Sequence, residues 1–442
     1  MPTAFLLIVR STQWHHGSIL FALPVSLIHG RCIQFNMTHP KVVIWWAAPL
    51  IILVTSIQLY SAFTLKTTWG QNATALMDIP QQGSISDAQF VPRPHLNKNE
   101  SFGACLMMKE DNDLLYEWLA YHYTVLPLRY ILVGSDEGNK QDPRDVLQRW
   151  TQANTGLNYW ILNSTEFMLR HGKHKGKEGN NKDDAHHTFI HRQRGFITTC
   201  SEFMKSQGVH WVTFIDSDEF VVMNRMGEDD KRFTIRTRNE PMSITQTSSD
   251  MRKALPAHDS DATVLDAIKK LEPIESLSPC YTIPRLLYGA FENLTCPGTE
   301  PTNELAKKEF KFSEMSTLRF LQHGRKGDFA LSKFGKVIVD FSNLTEETIA
   351  QTPRNIHRPW KSVCGPGVVH FPEAIFYLSH YIGSWERYSS RKDARRNRNE
   401  WEQRAFITSG SSCDKAVYKW FPRFVKAVGL DRARFLLGVD QI

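Results

Sequence analysis

Val42 to Leu65, VVIWWAAPLIILVTSIQLYSAFTL, runs 24 residues without a charge, and beyond it the apolar positions break into short periodic groups. Ala104–Met108 has the composition of a short buried strand. Asp111 or Asn112 then opens a helix in which Leu114, Leu115, Trp118, Leu119 and Val125 keep helical spacing. Tyr130–Val133 predicts a second strand, ending in a polar turn with Asp136. PRDVLQRW follows as a helix and LNYWILN as a third strand. Strand, helix and strand in succession make a β-α-β unit, the beginning of a doubly wound α/β sheet.

The pattern then weakens and returns. Residues 170–187, RHGKHKGKEGNNKDDAHH, have histidines that invite a metal reading, and a flexible polar loop fits their composition better. RQRGFITTCSEFMKSQ predicts a helix leading into a strand over Trp211–Ile215. Residues 224–262 form a charged, Ser/Thr-rich insertion. VLDAIKKL is a further helix, strands are expected at Tyr281–Leu287 and Lys336–Val339, and the C-terminal residues 391–442 are helical in pattern. No internal repeat is visible.

The uncharged run is long enough to cross a bilayer, with Trp45 and Trp46 near one end and Tyr60 near the other. Arg10, Arg31 and Lys41 precede it, and only Lys66 follows closely. The charge bias predicts a single-pass type II protein: a cytosolic tail 1–41, an anchor 42–65, a Gln/Asn/Pro/Ser-rich stem 66–100 and a lumenal domain 101–390. SILFALPVSLI is too short to span, and Met37 stands just ahead of the anchor as a candidate start. Sequons at Asn72, Asn99, Asn163, Asn293 and Asn343 agree with a lumenal remainder. Six of the seven cysteines also lie beyond the anchor, where an oxidising compartment permits disulfides. Cys280/Cys296 and Cys364/Cys413, in loop-like surroundings, are the expected pairs, with Cys105 and Cys200 as buried thiols. A net charge of +7 is modest, and no Lys/Arg stripe between aromatics suggests a nucleic-acid partner, so none is expected.

The candidate chemistry lies in HWVTFIDSDEFVV, where an apolar strand runs straight into Asp216, Ser217, Asp218 and Glu219. Two other D-x-D triplets, at Asp111/Asp113 and Asp259/Asp261, read as a helix start and a solvated loop. Asp216 and Asp218 alone follow a strand directly, and in open α/β sheets ligands bind at the carboxyl ends of strands. Residues i and i+2 of extended chain point the same way, so both carboxylates can reach one hard divalent cation. The three acids are therefore expected in a crevice open to solvent, around an ion.

Taken together, the turn preceding LLYEWLAYHY, the QRGF helix, WVTFIDSDEF and a late SHYIGSWERYSSRK resemble glycosyltransferases of the GT-A fold, in the family-2-like and family-92-like group. The resemblance implies a Rossmann-like nucleotide-sugar-binding domain with a mixed, mainly parallel sheet. It implies a UDP- or GDP-sugar donor, with Asp216 and Asp218 holding Mn²⁺ or Mg²⁺ against its diphosphate. It implies nucleotide contacts at Glu110 and Asp136, although GSDEGNKQD departs from the usual D-x-S-x-D. Arg194 corresponds to a basic residue near the diphosphate. Glu219 is expected behind the ion, accepting hydrogen bonds or serving as a structural acid. A further metal ligand is expected from a late histidine: His380 first, then His357, with His370 also a candidate.

An inverting transfer also needs a carboxylate to take the acceptor hydroxyl's proton, and Asp328 and Glu373 stand in suitable late loops. The expected acceptor is a glycan, glycoprotein or glycolipid in the Golgi or endoplasmic reticulum. Two other classes fit the same acids: a metal-dependent phosphohydrolase, and a membrane-tethered binding protein without turnover.

Overall fold

The computed structural model describes Phe5–Ile8 and Leu20–Leu23 and, within 101–439, all residues except 137–138, 165–180, 226–250, 252, 257–259, 272–278, 291–308, 311, 325–334, 352, 354, 358, 365–370, 372–373, 391–396 and 409–415. The expected anchor and stem lie outside the described residues, as does most of the insertion near 224–262. Among the described residues no helix is long and apolar enough to cross a membrane. The chain divides into two compact units, Met1–Ala73 and Thr74–Ile442. In the first, Phe5–Ile8 pairs antiparallel with Leu20–Leu23.

The second unit begins with the expected alternation: β1 (Phe102–Met108), α1 (Asn112–Val125), β2 (Leu128–Ser135), α2 (Arg144–Gln152), β3 (Asn158–Asn163), α3 (Asn181–Ser206) and β4 (Trp211–Thr213). It continues with β5 (Glu219–Met223), α4 (Val264–Leu271), β6 (Cys280–Ile283), β7 (Arg285–Tyr288), α5 (Ser316–Arg319), β8 (Lys336–Asp340), α6 (Glu346–Ala350), α7 (Lys361–Cys364) and β9 (Phe376–Tyr381). Helices α8 (Trp385–Ser390), α9 (Arg398–Thr408), α10 (Trp420–Val428) and α11 (Leu430–Leu436) close the chain.

The main sheet has the order β3-β2-β1-β4-β8-β6. Its first four strands are parallel, and β8 runs antiparallel to both β4 and β6. A fold that is mixed α/β with a mainly parallel sheet is thus what the sequence pattern produces. The period-2 alternation of β1 explains why the sheet is covered on both faces. Phe102, Ala104, Leu106 and Met108 enter one core with Leu115, Trp118 and Leu119 of α1, whereas Cys105 enters the other with Phe196, Cys200 and Met204 of α3.

A second sheet, β5-β9-β7, shares the first core. The single strand expected at Tyr281–Leu287 is two strands in two sheets. Pro284 lacks the N–H a continuous ladder needs, so the chain changes sheet there, and the Pro284 carbonyl instead accepts from the Leu378 N–H at 2.8 Å. The helix α3 also reaches back over Asn181–His187, part of the expected polar loop.

The disulfides correct the expected pairing. Cys105 joins Cys200 with a Cα–Cα distance of 6.0 Å, and Cys280 joins Cys364 at 5.0 Å. Apolar periodicity placed Cys105 and Cys200 in the core. It did not show that α3 crosses the face of β1 on which Cys105 projects. Neither Cys280 nor Cys364 takes the partner that loop context suggested.

Candidate functional site

The strand order reverses between β1 and β4, since β2 and β3 build outward on one side and β4 is laid down on the other. In such sheets the crevice outside the carboxyl ends at the reversal is where ligands bind. Glu110 and Asp111 follow β1, and Asp216 to Asp218 follow β4 across that reversal. The Ser217 hydroxyl donates to Asp111 Oδ2 at 2.7 Å, tying the two strand ends together. Asp111 occupies the N-cap of α1 without capping it with its side chain.

Helix α1 also fixes the acidic turn. The Trp118 indole N–H donates to the Asp216 carbonyl at 3.1 Å, the Tyr121 hydroxyl donates to the Val221 carbonyl at 2.7 Å, and His122 Nε2 accepts from the Val221 N–H at 3.4 Å. The last contact leaves the His122 proton on Nδ1, 2.9 Å from the Trp118 carbonyl. The aromatic pattern of LLYEWLAYHY is therefore both core and clamp.

Burial pushes the His122 imidazole down to about 3, against the hydrogen bond to Trp118. The sign follows: an unfolded chain takes up the proton below its model value of 6.5, and the folded chain refuses it. Stability is complete above pH 6.5 and falls as the pH drops towards about 3, by about 2 kcal/mol at pH 5 from this group alone. Urea titrations at pH 7.5 and pH 5 check this, and His122→Gln should make the decline shallower.

The turn itself is closed in both directions. The Glu219 N–H donates to the Asp216 carbonyl at 3.1 Å, and the Asp216 N–H donates to Glu219 Oε2 at 3.0 Å. Glu219 is fully buried, so the expectation of three solvent-facing acids is wrong for this one. It is the first residue of β5, and its side chain turns inward to Arg285 Nη1 at 3.2 Å. Asp216, with 46% of its side chain exposed, is held at Oδ1 by Lys336 Nζ at 2.8 Å, and the same ammonium lies 3.8 Å from Glu219.

Lys336 reaches this point because Gly335, just before β8, presses against β6. A Cβ at Gly335 would lie 1.9 Å from the Ile283 carbonyl oxygen. Two buried cations thus answer the question of how a core strand can end in so much negative charge. Neither Lys336 nor Arg285 carried a motif, and only the pairing of β8 with β4 and of β7 with β9 brings them to the turn.

The titration directions follow from this geometry. Partial loss of solvation and the Asp218 carboxylate raise Asp216, and Lys336 with Arg285 together outweigh them and hold the carboxyl below its usual value. Burial and the neighbouring carboxylates push Glu219 up to about 7, against Lys336 and Arg285. Burial would lower Lys336, but Asp216 and Glu219 hold it above its ordinary value.

Asp218 differs from both neighbours. Its Oδ1 lies 3.8 Å from His380 Nε2, on β9, and its carbonyl accepts from the Tyr381 N–H at 2.9 Å. Burial lowers the His380 imidazole to about 4, so its ring is neutral at physiological pH. His380 Nδ1 is buried and has no hydrogen-bond partner among the described residues. His357 also lies within the field of Lys336, Arg285 and Asp216, and burial followed by those cations lowers it to about 3. Among the described residues no group of three or more His, Cys, Asp or Glu side chains could by itself hold a metal ion.

The remaining expected residues divide. Glu110, two residues beyond β1, lies in the left-handed region, φ 55°, where its N–H donates to Asn139 Oδ1 at 2.9 Å. Such a non-glycine conformation costs about 1–3 kcal/mol and persists only when its surroundings hold it. Asp136 is buried and already paired, with Arg192 Nε at 2.9 Å and Lys109 Nζ at 3.8 Å, so a nucleotide contact would compete with two cations. Arg192 of α3 is thus an arginine that reaches this strand end. Beside Asp216 and Lys336 the small crevice is lined from α3 by Gln193, Phe196 and Ile197. Asp328, Glu373 and His370 lie outside the described residues.

No family model and no curated protein matches this chain.

Proposed function

We propose that the chain is a glycosyltransferase of GT-A type, moving a sugar from a UDP- or GDP-sugar to a glycan, glycoprotein or glycolipid in the secretory pathway. The uncharged run at Val42–Leu65 supports a type II anchor in the Golgi or endoplasmic reticulum membrane. The observation that carries the reading is the Asp218–His380 pair at the strand-order reversal, a carboxylate and a neutral imidazole 3.8 Å apart with the second ring nitrogen unsatisfied.

That donor set fits Mn²⁺ or Mg²⁺. A magnesium site commonly uses one or two carboxylates and takes the rest from water and substrate phosphates, so Asp218 suits either ion while the imidazole favours Mn²⁺. Asp218 and His380 would hold the ion, with His357 the next imidazole in reach of the same charges. Bound there, the ion would offset the charge developing on the departing nucleoside diphosphate, worth several kcal/mol.

The chain's own residues supply the rest. Lys336 neutralises Asp216 and fixes its orientation, Arg285 does the same for Glu219, and the Asp111–Ser217 bond holds the acidic turn against β1. Glu110, just beyond β1, is the described residue best placed for the nucleotide. The proton of the acceptor hydroxyl goes to a carboxylate, for which Asp328 and Glu373 remain the proposed residues, giving inversion.

A second reading has its own observation. Lys336 is a permanent cation 2.8 Å from Asp216, so charge on the leaving group could be met without an ion. The phosphohydrolase alternative wants clustered ligands for two ions, and the described residues hold no such group.

One experiment separates these readings. UDP- and GDP-sugars are screened for thermal stabilisation with Mn²⁺ and with EDTA, and the same donors are assayed for hydrolysis. Stabilisation and turnover by one donor, both lost in EDTA, are expected. Turnover that persists in EDTA assigns the charge to Lys336. Binding without turnover leaves a binding protein, and no response to any donor removes the transferase reading.

A further inference from the structure

A cavity of about 430 Å³, within the size range of small-molecule sites of about 300–1,000 Å³, is lined by residues of α1, the Glu314–Phe320 segment, Ser384 and Arg387, and the C-terminal Leu437–Val439. It is reached from the site residues by short steps of chain. Asp113 on its wall is two residues from Asp111, which holds Ser217. Glu117 precedes Trp118, which holds the Asp216 carbonyl. Ser384 lies four residues beyond His380.

The lining chemistry is mixed in a particular way. Arg319 and Arg387 share the wall with Asp113 and Glu314, so these four charges balance and the rim carries no excess of cations. Arg387 is held flat against its neighbours, with Nη2 2.6 Å and Nε 3.1 Å from Asp113 Oδ2 and Nη1 3.0 Å from the Ser316 hydroxyl. Glu117 does not add a reactive charge. It is buried, and its oxygens accept from the Ser316 N–H at 2.7 Å and from the Thr317 N–H and hydroxyl at 2.7 and 2.5 Å. The opposite wall is apolar. Tyr116 packs against Gly438, where a Cβ would come within 3.0 Å of the ring, and Phe320 and Val439 continue the surface. Gly438 has φ 73°, so both the close approach and the backbone favour glycine.

A pyranose ring presents this pattern in reverse: adjacent hydroxyls that donate and accept around the edge, and C–H faces that lie on apolar or aromatic surface. Planar guanidinium groups beside carboxylates meet paired hydroxyls two bonds at a time. A rim without an excess of cations gives no advantage to an anionic ligand, whose desolvation it would not offset.

We infer that the cavity between Arg319, Arg387 and Tyr116 binds a neutral saccharide, the terminal sugar of the acceptor that the proposed transfer extends. This rests on the transferase reading for the word acceptor, and on the cavity alone for the word saccharide.

The test uses the full chain and an array of defined neutral, uronic-acid-containing and sulfated oligosaccharides. Two variants alter the cavity and leave Asp216, Asp218 and His380 in place: Arg319→Gln removes a guanidinium, and Val439→Trp fills the apolar side. Retention of neutral oligosaccharides is expected from the parent protein, with loss of about tenfold or more in each variant. The melting temperature and the donor hydrolysis rate should stay at the parent value. Preference for the acidic sugars, no retention by the parent, or retention indifferent to both variants at unchanged melting temperature would each overturn the inference. The two claims fail separately. Saccharide binding that the variants abolish, without turnover of any sugar nucleotide, keeps the cavity and removes the transferase; donor hydrolysis with saccharide binding untouched by the variants does the reverse.

Discussion

Asp218→Asn is expected to lower sugar transfer by roughly a thousandfold while leaving the fold intact. The expectation follows from what each acid of the turn is bonded to. Asp218 faces a neutral imidazole at 3.8 Å, so exchange of one oxygen for an amide removes the charged donor and leaves the shape. Loss of Lewis-acid help worth several kcal/mol corresponds to about 10³ in rate. Asp216→Asn should also reduce transfer, but with a second signature. Lys336, whose side chain is only 6% exposed, loses its 2.8 Å partner, and only Glu219 at 3.8 Å remains. A charged hydrogen bond lost at a half-exposed acid costs about 1–2 kcal/mol. The Asp216 variant should therefore melt several degrees lower than the Asp218 variant. Equal transfer by parent and Asp218→Asn, each assayed with Mn²⁺ and with EDTA, would remove the ion from the mechanism and leave Lys336 to carry the charge.

The parts of this arrangement that were legible in sequence were those written in local pattern. Short apolar runs in FGACLMM and RYILVGS and helical spacing in LLYEWLAYHY placed β1, α1 and β2 to within two residues. The acids after Ile215 could be singled out because a strand ends there. What the sequence could not show was which side chains arrive from elsewhere. Lys336 comes from 120 residues away and Arg285 from 66, each on a strand whose partner is set by tertiary packing. The same limit explains Cys105–Cys200, 95 residues apart, where burial was visible and the crossing of α3 over β1 was not. It also explains Asp136, for which the resemblance implied a nucleotide contact and whose carboxylate is paired with Arg192. Acidic clusters announce themselves in sequence; the cations that neutralise them are single residues and do not.

Arg285→Met should be the most destabilising single change at the site, by about 3–5 kcal/mol, because it leaves Glu219 buried without its closest cation. The pH dependence identifies the cause. Glu219 holds its proton up to about 7 in the folded chain, against a model value of 4.5. The unfolded chain releases the proton first, so stability from this group is lost as the pH rises from about 4.5 to about 7. Without Arg285 the carboxyl rises further, and the loss continues above pH 7. Urea unfolding should thus show a larger difference between parent and Arg285→Met at pH 8 than at pH 5. The double variant Glu219→Gln/Arg285→Met removes the charge along with its partner, and should recover most of the stability at pH 8. Function does not return with it. Arg285 opens β7, which runs beside β9 in the register Leu378–Arg285 and His380–Leu287. Glu219 pairs with His380 across the other side of β9. The buried ion pair therefore joins the two strands that flank His380, and its loss changes the support of the imidazole that faces Asp218. A double variant that folds as well as the parent and transfers sugar at the parent rate would show that the pair does nothing beyond satisfying its own charges.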